Sequence, residues 1–240
     1  MVDAPGDDHP AAPPIGSGSP VVASLLLSLA VGAYAVSFGV LGVQAGLTTA
    51  QTCAMSLLGF SGASQFAAVG VLSSGGSPLA AVGSALLLAA RNAVYGVAMS
   101  RVLPAGRVRR LVAAQFVIDE STAMALAQHD AHHRQRAFWA TGLGIYVCWN
   151  VGTLAGALVG NRLGDPAALG LDAAFPAGFV ALAVPHLGRP AGRLAGGLGA
   201  AAALALSPVL PAGAPILVAA LAVLVGLRRN PAGLRSEGPR

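Results

Sequence analysis

The chain contains no lysine at all: its fourteen basic residues are arginines. With alanine and glycine abundant, that absence reads as nucleotide-composition bias and points to no mechanism. Charge of either sign is scarce, 10% of 240 residues against roughly 25% in an ordinary soluble domain. Residues 10–90 carry no Asp, Glu, Lys, Arg or His, and two further stretches, 137–161 and 194–227, carry none either. Each exceeds the roughly 20 residues that cross about 30 Å of hydrocarbon as helix, so a soluble core is excluded and several spans are required. Cysteine is nearly absent. Cys53 and Cys148 both fall inside apolar runs, which leaves neither metal-ligand spacing nor a disulfide framework, only buried free thiols. No cofactor is implied. The net charge of +5 does not indicate nucleic acid, because the arginines sit in short loops between apolar segments without interleaved aromatics. Topology explains them better.

What is present orders itself as one membrane domain between two polar tails. Residues 1–20, with Asp3, Asp7 and Asp8 among Pro, Gly and Ser, have a disordered composition and lack the basic start of a signal peptide. The domain runs 21–228, and the arginine-rich 229–240 is a cytoplasmic tail. Within the domain eight apolar elements are expected: 21–46, 49–73, 78–100, 111–128, 137–160, 169–187, 194–208 and 213–228. The second holds the small, polar run Gly59-Phe60-Ser61-Gly62-Ala63-Ser64-Gln65, and the sixth holds Asp172, Pro176 and Pro185. Glycine weakens helix and proline removes a backbone donor, so both are expected to be broken or re-entrant. If only these two dip and return, the N-terminus, loops 101–110, 161–168 and 188–193 and the C-terminal tail share the cytoplasmic side. Arg134 and Arg136 then lie outside. The fold class is therefore an all-α integral membrane protein, a polytopic helical bundle. Elements one to four and five to eight form an inverted repeat with two broken elements, the plan of many secondary transporters. Gly42 and Gly46 echo Gly152, Gly156 and Gly160 as close-approach positions in the two halves.

Ionisable groups at membrane depth cost roughly 2.5–3.5 kcal/mol each and need partners or water. Arg91, Asp119, Glu120 and Asp172 are such groups. Tyr95 lies one turn beyond Arg91 on the same face, with Asn92 adjacent. Asp119 and Glu120 point about 100° apart, so one pairs with Arg91 while the other faces a cavity. A buried ion pair that only fixes helix register is the bland alternative. Three acids against one arginine leave a surplus, which favours proton or ion coupling through Asp119, Glu120 or Asp172. Asp172 also suits the N-cap of a short helix. Unwound backbone at Ser61, Gly62 and Ser64 offers a half-helix N-terminus to a carboxylate, with Gln65 adding a donor. Phe60, Phe66 and Trp149 suit an apolar wall.

Four stretches resemble the AzlC-type branched-chain amino acid exporters: Phe60-Ser61-Gly62-Ala63-Ser64-Gln65-Phe66, Arg91-Asn92-Ala93-Val94-Tyr95-Gly96, Ile118-Asp119-Glu120-Ser121 and Trp149-Asn150-Val151-Gly152-Thr153. Gly170-Leu171-Asp172 with Phe175-Pro176-Ala177 continues the likeness. The resemblance implies a multi-pass permease of the bacterial cytoplasmic (inner) membrane that expels valine, leucine, isoleucine or methionine with a small, separate AzlD-type membrane subunit. The residues expected to contact substrate are Ser61, Gly62, Ser64, Gln65, Arg91, Asn92, Tyr95, Trp149 and Asn150. The chain has no Walker motif, so an ion gradient is the expected drive. Two other classes stay open. Gly59-Phe60-Ser61-Gly62 fits the Gly-x-Ser-Gly pattern of rhomboid-like intramembrane serine proteases, for which His186 is the histidine at plausible depth. A passive channel or structural membrane subunit is the third.

Overall fold

The computed structural model describes residues 20–103, 106–162, 177, 180, 183–188, 190–210 and 214–221. Asp172, most of the sixth element and half of the eighth lie outside the described residues, as does the side chain of His186. The described residues are helical and contain no strand. They form α1 (Pro20–Gln44), α2 (Thr49–Leu58), α3 (Ala63–Ser73), α4 (Pro78–Ala98), α5 (Arg107–Ala114), α6 (Asp119–Leu126), α7 (Ala131–Gly160), α8 (Pro190–Leu206) and α9 (Ala214–Ala219). Among them three helices are long and apolar enough to cross a membrane: Val21–Gln44, Pro78–Arg101 and Ala131–Gly160.

Helix ends follow local chemistry. Gly46, at φ 91°, ends α1 in a turn that an L side chain resists, its neighbour Leu47 N donating back to Gly42 O at 3.2 Å. Thr48 then opens α2 with a reciprocal pair: its hydroxyl accepts from Gln51 N at 3.2 Å while its own N–H donates to Gln51 Oε1 at 2.8 Å. Ser77 followed by Pro78 starts α4, and Asp130 starts α7.

The scaffold is the α1–α7 pair, packed backbone to backbone. A Cβ on Gly39, Gly152 or Gly156 would fall on the facing main chain, and one on Gly32 would lie 2.7 Å from Cys148 Cβ. Only the missing side chains permit this approach. Buried polar contacts mark the seam: the hydroxyls of Ser24 and Thr141 are 2.8 Å apart, and Gln44 Nε2 donates to Gly160 O at 3.0 Å. Early residues of α1 thus meet early residues of α7, and late residues meet late ones. The two helices are parallel.

The second element breaks and returns. Gln65 Nε2 of α3 donates to Met55 O of α2 at 2.8 Å, and Ala68 and Val71 pack with Ala81 and Met55, so α3 runs back beside α2. It is a re-entrant hairpin with its tip at 59–62. It enters from the end of the bundle where α1 finishes, since Gly42 faces Thr52. From that end α4 crosses back, passing Ser61 at Asn92.

The fourth element departs from expectation. It is not a continuous span over 111–128 but a second hairpin, α5 and α6, broken at 115–118. Its tip residue Phe116 faces Gly142 at mid-α7, whereas Gln128 O, past its return, accepts from Arg134 Nε at 2.8 Å near the start of α7. The cause is local. Ser121 Oγ donates to Phe116 O at 2.5 Å and accepts from Ile118 N at 3.2 Å, satisfying the main chain where the ladder stops. The hairpin enters from the end opposite to the first.

Three corrections follow. Gln135 Nε2 donates to Val102 O at 3.1 Å, so Arg134 and Arg136 share an end of the molecule with the 101–110 loop and do not lie across from it. The parallel course of α1 and α7 also does not fit a repeat that sets 21–128 against 137–228 in opposite senses. Gly42 and Gly46 are not the α1 side of the glycine seam: Gly42 faces Thr52 and Gly46 faces nothing within 4 Å, and Gly32 and Gly39 take that place.

Candidate functional site

The two hairpin tips come from opposite ends and meet beside α4. Adjacent residues of α4 touch both: Asn92 Nδ2 donates to Ser61 Oγ of the first tip at 3.2 Å, and Arg91 Nη2 lies 2.6 Å from Asp119 Oδ2 of the second. Tyr95, one turn further, donates its phenol to Asp119 Oδ1 at 2.6 Å. Asp119 therefore has both oxygens engaged. It also sits in the first turn of α6, where the helix dipole favours a carboxylate. The Arg91 and Asp119 side chains each keep 29% of their surface uncovered, so the pair is not sealed.

Glu120 stands beside this cluster in the same first turn and makes no ion pair with another described residue. Of the two acids of α6 it is the unpaired one, and Asp119 is the one that pairs with Arg91.

At the first tip Gly62 adopts φ 50° and ψ −85°, a conformation open to glycine, and it starts α3 without a side-chain cap. Its carbonyl accepts from Gln65 N at 3.0 Å and Phe66 N at 3.1 Å, so the earlier amides of α3 have no partner inside the helix. Ser64 Oγ donates to Ser61 Oγ at 2.7 Å. A Cβ at Gly62 would be 3.7 Å from Trp149 Cη2, which places α7 against the tip. Trp149 joins an aromatic group with Tyr34, Phe38 and Phe66, its ring 6.0 Å from Phe38 and 6.2 Å from Phe66. Asn150 Nδ2 donates to Tyr146 O at 2.8 Å.

Around these tips lie six buried side-chain atoms with no hydrogen-bond partner among the described residues: Gln65 Oε1, Arg91 Nε, Asn92 Oδ1, Thr122 Oγ1, Trp149 Nε1 and Asn150 Oδ1. Buried polar atoms are normally satisfied, so such a gathering marks a place built for something polar to enter. Five of the six belong to the residues that the sequence singles out. Among the described residues Ser61 Oγ contacts Ser64 and Asn92.

Sequence reasoning missed Gln115 and Tyr146. Gln115 Nε2 donates to Leu57 O at 2.9 Å, and Tyr146 Oη donates to the same carbonyl at 3.2 Å. Gln115 is a lone amide in an uncharged run, and nothing in its neighbours signals a break. The signal lay after it, in Asp119-Glu120-Ser121, a helix-start pattern placed mid-element.

Among the described residues, three helices long and apolar enough to cross a membrane, with two opposed hairpins whose tips meet at a polar centre, suit a helical membrane protein. The chain belongs to the AzlC family: the family's model, described as AzlC protein, matches residues 27–163, from α1 through the end of α7. That family is associated with branched-chain amino acid transport and is a transporter family rather than an enzymatic one. No curated protein and no solved structure matches the chain.

Proposed function

We propose that this protein is a secondary transporter that exports valine, leucine, isoleucine or methionine across the bacterial cytoplasmic membrane. It works with a small AzlD-type subunit and is driven by an ion gradient. The observation that carries this reading is the set of six unpartnered polar atoms gathered at the opposed hairpin tips. The uncapped start of α3, with Ser61 and Ser64, receives the substrate carboxylate. Phe60, Phe66 and Trp149 face its aliphatic side chain. Arg91, Tyr95 and Asp119 hold the two hairpins in register, and Glu120 takes the coupling role because it alone of the two acids is unpaired.

The orientation rests on charge: between α4 and the end of α7, Arg101, Arg107, Arg109, Arg110, Arg134 and Arg136 share one end, against Arg162 at the other, which favours the end bearing the α1 N-terminus as the cytoplasmic one. The inverted relation then belongs to shorter units: a span with its hairpin, α1 to α3, and a second span with its hairpin, α4 to α6, running the opposite way. Inverted units around a central site suit alternating access.

The test uses proteoliposomes loaded with labelled leucine, with the small subunit present. Efflux that rises under an imposed ion gradient and falls when an ionophore collapses it supports the reading. Efflux indifferent to the gradient rejects ion coupling.

A further inference from the structure

We infer that Gln115 is the positioning residue that closes the route between the two hairpins, so that its hydrogen bond to Leu57 O must open in each transport cycle. The inference rests on the transporter reading and adds the location of its barrier.

The first hairpin ends α2 at Leu58, inside the depth of the spanning helices, and the last carbonyls of any helix lack intrahelical donors. In hydrocarbon those carbonyls must be satisfied from elsewhere. Met55 O is served from within the same hairpin, by Gly59 N at 2.9 Å and Gln65 Nε2 at 2.8 Å. Among the described residues Leu57 O is served only from outside it, by Gln115 of the second hairpin and Tyr146 of α7. Gln115 Nε2 also lies 3.5 Å from Leu58 O. Among the described residues the hydrogen bonds between the hairpins thus run from one side chain, at the level where a chain entering from one face meets a chain entering from the other. Beside this level stand Asn92 and Arg91, each bound to a different tip. A solute that passes from one face to the other must part the tips, and parting them breaks the Gln115 contact while Tyr146 keeps Leu57 O from being orphaned. Two donors on one acceptor make the opening tolerable: the carbonyl is never left bare.

The test links the tips. In a background with Cys53→Ser and Cys148→Ser, Leu57→Cys and Gln115→Cys are joined by a short, reducible bifunctional thiol reagent in proteoliposomes loaded with labelled leucine. Linking is expected to remove most of the efflux, with recovery on reduction. Each single-cysteine variant given the same reagent keeps its rate. Full efflux by the linked protein overturns the inference, whereas absent efflux by the wild-type protein sinks the transporter reading instead. Gln115→Leu supplies a second readout, since it keeps the bulk and loses the donor. A rise in substrate-independent ion leak with the thermal midpoint unchanged is expected. A lowered midpoint without leak reduces Gln115 to a structural cap and overturns the proposal.

Discussion

Arg91 and Tyr95, four residues apart on one face of α4, divide the carboxylate of Asp119 between them: the guanidinium takes Oδ2 at 2.6 Å and the phenol takes Oδ1 at 2.6 Å. An acid held twice is committed to its two partners, and its removal orphans a cation at membrane depth. Asp119→Asn is therefore expected to lower both efflux and protein abundance. The stability loss should be about 1–3 kcal/mol, between the values for exposed and fully buried pairs. Purified yield and thermal midpoint check this. Normal abundance with lost efflux would instead place Asp119 in the chemistry.

The glycine seam makes a sharper structural prediction. Gly156→Ala drives a methyl group into Val36 backbone, and neither helix can yield because the collision is main chain against side chain along a parallel pair. Overpacking of this kind costs typically 1–3 kcal/mol, enough to deplete the protein in the membrane. Gly96→Ala, on exposed α4 with nothing within 4 Å of the new Cβ, is expected to be neutral or to stabilise the helix by up to about 1 kcal/mol. Immunoblots of membrane fractions would separate the two; equal abundance would contradict the packing.

Asp130 lies outside the spanning segment and caps α7. The His133 backbone N–H at 3.0 Å and the His133 ring at 2.6 Å hold its carboxyl below the usual carboxylate value. A depressed folded-state value means that the cap contributes stability above the unfolded value, near pH 4, and loses it as pH falls through the folded one. Thermal midpoints of wild type and Asp130→Ala should differ at pH 7 and converge toward pH 3. A constant gap would show that the carboxylate's charge is not involved.

The membrane class, the first hairpin and most of the polar centre were legible because they rest on composition and on residues with few uses at depth. Gly59 and Gly62 weaken helix in plain view, and Arg91 in an apolar run must find a partner. The second hairpin was hidden because Phe116-Val117-Ile118 contains no glycine or proline; the break depends on Ser121 folding back onto Phe116 O, a tertiary choice. Missing that break reversed the expected direction of α7 and moved Arg134 and Arg136 to the wrong side. Gln115 and Tyr146 were invisible for the same reason, since their shared acceptor Leu57 O belongs to another hairpin.

Glu120 carries the central claim, and its isosteric neutral variant tests it most directly. Proteoliposomes bearing Glu120→Gln, with the small subunit, are compared with wild type in two assays: gradient-driven efflux of labelled leucine, and exchange of labelled for unlabelled leucine with no gradient. Loss of gradient-driven efflux with exchange retained is the predicted result. Gradient-driven efflux equal to wild type would contradict the assignment of coupling to this acid.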